Sequence, residues 1–121
     1  MNPQPSAIPT RTELIEQIGA SEKRLSLALE QEFQAEGEYH AASAALVIAI
    51  DEARRTTPDE AGVDELTASH RQFVNDVSQT LRGRILEVRL ATIQLNAVRD
   101  RVTVANIAGR NTFEQSEDPQ L

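Results

Sequence analysis

Apolar residues recur along this chain in alternating steps of four and three. The first series runs Leu14, Ile18, Ser21, Leu25, Ala28, Glu32, Ala35, Tyr39, Ala42, Leu46, Ala49, Ala53, and ten of these twelve are apolar or aromatic. That is the period of a helix seam in a coiled coil, not the period of two of a strand. It predicts helix 1 over about residues 11–55. Ser21 and Glu32 are polar breaks; a buried polar group can fix register, and Glu32 can equally turn to the edge. Alanine at so many seam positions lets the facing helix approach closely. A second series predicts helix 2 over about residues 58–108: Val63, Leu66, His70, Phe73, Val77, Leu81, Ile85, Val88, Ala91 or Thr92, Leu95, Val98, Val102, Ala105. Between Val77 and Val88 the steps are four, four and three, a stutter that relaxes the supercoil locally.

The run Arg55-Thr56-Thr57-Pro58-Asp59-Glu60 separates the two series and reads as the tip of a hairpin, with the turn at 56–58. Thr57 is placed to cap helix 2, Pro58 to occupy its first position, and Glu60 to close a capping box. Arg54 and Arg55 suit the negative end of the helix 1 dipole. Thr10 and Glu13 have capping-box spacing at the start of helix 1. Residues 1–10 contain three prolines and read as an extended arm. Gly109 fits a C-terminal cap, and residues 109–121 read as an acidic tail.

The fold class expected is therefore all-α, a long antiparallel helical hairpin. In that hairpin, residues whose numbers add to roughly 117–120 share a level, because each helix rises by the same ~1.5 Å per residue. Gly37 and Gly83 then face each other, flanked by Glu36 and Glu38 on one helix and Arg82 and Arg84 on the other. Each glycine costs ~1 kcal/mol relative to alanine inside a helix. They are either a tolerated surface pair or the level of a bend or close contact with another chain.

A second apolar stripe lies on each helix: Ile15, Leu29, Phe33, Val47 and Ile50 on the first, Leu86, Leu90, Ile93, Ala97 and Val104 on the second. One two-helix seam cannot bury both. Exposed apolar surface of that extent is uncommon in monomers. The hairpin is expected to pack into a multi-helix bundle by homo-oligomerisation, or to dock on a neighbouring helical protein. Val47, Ile50, Leu86, Leu90 and Ile93 are the expected interaction residues. A monomer that buried these stripes would have to break a helix and fold back, at Gly37 or Gly83.

Composition narrows the picture. At 121 residues the chain is one domain. It has no Trp and no Cys, so the core is aliphatic and there is no disulfide framework. A net charge of −7 disfavours bulk attraction to nucleic acid or anionic lipid. No apolar run reaches the ~18 residues of a membrane span. Met1 to Pro5 has neither a basic nor an apolar region of a signal peptide, so a cytoplasmic or particle-associated protein is expected. Residues 11–55 carry nine acids and five bases, so helix 1 can pair edge to edge with Arg82, Arg84 and Arg89 of helix 2. Those arginines, with Arg99 and Arg101, are interleaved with acids and no aromatic stacks among them, which argues against a phosphate-binding face.

Candidate chemistry is sparse. His40 and His70 would lie ~15 Å apart along the hairpin and cannot share an ion. Glu32, Glu36 and His40 recur every four residues, but the Glu-x-x-His pair of carboxylate iron bundles is missing. Neither histidine has a nucleophile context, and all five glycines are isolated. No catalytic residue, metal ligand or cofactor is expected. The function expected is a non-enzymatic structural or assembly subunit in a phage particle, a secretion apparatus or a filament. The alternative is a small dimeric chaperone or adaptor that binds a client helix.

Overall fold

The computed structural model describes residues 9–117, with side chains described for residues 9–108. Two long helices, α1 (Arg11–Thr56) and α2 (Glu60–Glu117), pack against each other as a hairpin. Neither is interrupted, so no fold-back occurs at Gly37 or Gly83. The capping box at the start of α1 forms as read. The Glu13 N–H donates to Thr10 Oγ1 at 3.1 Å, and the Thr10 N–H donates to Glu13 Oε2 at 3.3 Å.

The turn differs from the reading. The Thr57 N–H still donates to the Ala53 carbonyl at 2.9 Å, so the Thr57 backbone belongs to the last turn of α1. Asp59 caps α2 instead. Its carboxylate accepts from the Gly62 N–H at 2.6 Å, and its carbonyl accepts from the Val63 N–H at 3.2 Å. Pro58 therefore precedes the cap and does not occupy the first helical position. A carboxylate at this place also meets the positive end of the α2 dipole, which a hydroxyl does not exploit. Gly62 leaves room here for two neighbouring side chains. A Cβ on it would lie 2.6 Å from Thr57 Oγ1 and 2.9 Å from Asp59 Oδ1. At the other end, α2 does not stop at residue 108 but runs through Gly109 to Glu117. No glycine of the described backbone has a positive φ, so Gly109 is not a left-handed cap.

The chain forms two compact units. One is Leu27–Arg89, which contains the turn; the other combines Met1–Ser26 with Leu90–Leu121. In the first, Ala28, Ala35, Ala42 and Ala53 of α1 and Val63, Thr67 and Val77 of α2 are buried. Tyr39, Leu46, Ala49, Val74, Leu81, Ile85 and Val88 are half-buried around them. In the second, Leu14 of α1 and Ala91, Leu95 and Val98 of α2 are buried. All twelve seam positions read on α1 are buried or half-buried.

On α2 the reading is one residue out of phase near the turn. Leu66, His70 and Phe73 are exposed, and Thr67 and Val74 take the inner positions. Thr67 is fully buried because its hydroxyl is satisfied twice: it donates to the Val63 carbonyl at 2.8 Å and accepts from Arg71 Nε at 3.0 Å. A buried hydroxyl with both partners present carries little desolvation cost. Arg84 is half-buried at the next irregular place. With Val74 and Arg84 counted, the inner positions step by three and four from Val74 to Val102, and the stutter disappears. Within the Leu27–Arg89 unit, Arg84 donates to Gln31 Oε1 at 3.2 Å. Within the other unit, Arg24 donates to Gln94 Oε1. The pair 24 and 94 satisfies the level rule and 31 with 84 falls about two residues short, which establishes the antiparallel register.

Candidate functional site

The expected interaction residues occupy different places. Val47, Leu86, Leu90 and Ile93 are exposed (66%, 55%, 48% and 63%), and Ile50 is half-buried. Counting from the inner seam of α1 puts Val47 and Ile50 on one flank, with Ile15, Leu29 and Phe33. Leu86 is on the side of α2 away from its inner seam. Since Arg84 meets Gln31, Leu86 is level with residues near 31, ~25 Å along the axis from Val47. Leu90 and Ile93 belong to the other unit.

A second apolar face was missed by the reading. Leu66 and Phe73 are more than half exposed on α2, and Ile48 is exposed on α1. Leu66 and Phe73 lie whole heptads from Gln94, and Ile48 lies beside the flank that carries Arg24 and Gln31. Leu66 and Phe73, seven residues apart, therefore share one outer flank of α2. The signal was present in the sequence: admitting Thr67 to the seam moves Leu66 and Phe73 outward together. Val47, Ile48 and Ile50 also border a shallow groove along α1 that ends at Arg54 and Arg55. In the other unit, two shallow clefts flank Leu14. Pro9, Leu14 and Ala105 line both, and Val104 adds to the more apolar one.

The charges are arranged differently from expectation. The described ion pairs lie within single helices: Asp51–Arg55 at 2.7 Å, Asp64–Arg71 at 2.9 Å and Glu87–Arg84 at 3.3 Å. Arg84 reaches across to the amide of Gln31, not to Glu36 or Glu38. The helices are thus joined by apolar packing and arginine–amide hydrogen bonds. Exposed pairs of this kind contribute ~0–1 kcal/mol each.

Glu32 is half-buried in the seam, whereas Glu36 and His40 are exposed. The His40 ring meets the Tyr39 ring edge-on, with centroids 5.8 Å apart. His70 is exposed on α2. Among the described residues no three His, Asp or Glu side chains gather in a way that could hold a metal ion. Gly37 and Gly83 are exposed, and a Cβ on either would meet no atom within 4 Å. Packing within the chain does not explain them. Among the described residues no helix is long and apolar enough to cross a membrane. No protein-family model, curated protein or solved structure matches this chain.

Proposed function

We propose that this protein is a non-enzymatic structural subunit that assembles with copies of itself through the outer apolar faces of its hairpin. The larger particle is a phage, a secretion apparatus or a filament. One observation carries the reading: many of the large apolar side chains are outside. Phe33, Val47, Ile93 and Val104 are each more than 60% exposed, while the residues buried between the helices are mainly alanine and valine. Full burial of one Val, Leu, Ile or Phe side chain contributes ~1.5–3 kcal/mol, so most of the chain's unused driving force lies on these faces. Helix faces of this kind are covered by other helices in bundles.

The test is the solution mass by light scattering over roughly a hundredfold range of concentration, a range that spans a weak to moderate association constant. A mass of two or more chains is expected, falling to one chain in Val47→Glu with helicity retained by circular dichroism. A monomer at every concentration overturns the reading and favours an adaptor whose faces are covered by a client helix.

A further inference from the structure

The pattern of apolar and polar residues on the outer flank of α1 is the same in both directions. From Leu29 it runs Leu29, Phe33, Glu36, His40, Ser43, Val47, Ile50, in steps of four and three. Two apolar residues stand at each end and three polar ones in the middle. Leu29, Phe33, Glu36, His40 and Val47 are exposed, and Ser43 and Ile50 are half-buried. All belong to the Leu27–Arg89 unit. An isologous interface requires a surface that is its own complement, and this stripe meets that requirement for antiparallel pairing.

We infer that the occupant of this flank is the same flank of a second copy, running antiparallel, with the two-fold axis at His40. The inference rests on the self-association proposed above and specifies its geometry. In that arrangement Leu29 meets Ile50, Phe33 meets Val47, Glu36 meets Ser43, and His40 meets its own copy. The stripe spans about three heptads, the length at which a seam pattern becomes a sustained coiled coil. A parallel pair would instead set Glu36 against Glu36, and like charges directly opposed destabilise.

Two further observations fit. The residues bordering the centre of the stripe on its outer side are Gly37 and Ala44, both exposed. Gly37 has open space around it in the single chain. Small residues there let the two helices approach to the short end of the 8–10 Å range of packed helices. At the ends, Glu30 comes within about one turn of Arg54 in the other copy. The nearest like charge, Asp51, is already held by Arg55 at 2.7 Å.

The chain contains no cysteine, so single substitutions report position without background. His40→Cys, Phe33→Cys and Val47→Cys all fall on exposed residues, and circular dichroism checks that each variant stays helical. After mild oxidation, His40→Cys is expected to double in mass on a non-reducing denaturing gel. Phe33→Cys alone stays at the mass of one chain, and an equimolar mixture of Phe33→Cys with Val47→Cys gives the cross-linked dimer. Self-linking of Phe33→Cys as efficient as that of His40→Cys means a parallel pair and overturns the inference. An oligomer by light scattering in which His40→Cys does not link also overturns it, while leaving self-association standing. A chain that is monomeric throughout removes both.

Discussion

The two sides of α1 within the Leu27–Arg89 unit reverse the size order familiar from globular cores. Toward α2 the buried residues are Ala28, Ala35, Ala42 and Ala53, whereas on the outer flank Phe33 is 79% exposed and Val47 66%. Small residues inside let the helices come close, so that backbone and Cβ atoms make the dispersion contacts that larger side chains supply elsewhere. Their burial removes little apolar area per residue. The larger area is left outside, available to something other than α2. The inner side is thus specified by shape and the outer side by how much apolar surface it still exposes.

A charge placed on each side tests that contrast most strongly. Ala42→Asp puts an unpaired carboxylate in the seam and is expected to cost about 3–5 kcal/mol, enough to unfold much of the hairpin. Ala44→Asp, two residues away and exposed, should stay within about 0.5 kcal/mol when the chain is dilute enough to be monomeric. Urea unfolding followed by circular dichroism reads both. Equal losses would mean that the alanine side is not the inner side.

Size gives a smaller and sharper version. Ala35→Leu overpacks the seam and should cost about 1–3 kcal/mol in the same assay. Ala41→Leu is exposed and should be near neutral, within about 0.5 kcal/mol. If Ala35→Leu is neutral too, the close approach of the helices is not what the alanines provide.

The smallest effect compares two glycines. Gly83→Ala enters open space and should raise stability by about 1 kcal/mol through helix propensity. Gly62→Ala should lose that gain or reverse it, because the new methyl would displace Thr57 and the Asp59 carboxylate that caps α2. A thermal melt separates them, and equal gains would mean that the cap region yields freely.

Much of this was legible from residue order. The seam of α1 is legible along its whole length, because its inner positions contrast clearly with charged neighbours. The Thr10 and Glu13 box was legible because reciprocal capping depends only on local spacing. The α2 seam near the turn was not, because Thr67 looks polar in a list of residues and becomes an inner residue only through hydrogen bonds to Val63 and Arg71. Taking Leu66 and Phe73 as inner hid the outer flank of α2 that they share. The cap of α2 was missed for a similar reason. Thr57 and Asp59 both have capping side chains, and the cap fell to Asp59 because α2 begins at Glu60. Gly109 looked like a left-handed stop, yet no glycine of the described backbone has a positive φ and α2 continues through it.

Periodicity and the central break were therefore enough to establish an antiparallel helical hairpin and the presence of outer apolar stripes. Both follow from interactions between residues near in sequence, through the 3.6-residue turn and the chemistry of caps. Which residues turn inward at Thr67, which group caps α2, and how the outer apolar residues are distributed over separate faces were decided only in the folded hairpin. Those outcomes depend on the phase between two helices. A rotation of one residue moves a side chain by ~100° and costs little in local terms, so only packing across the seam selects it.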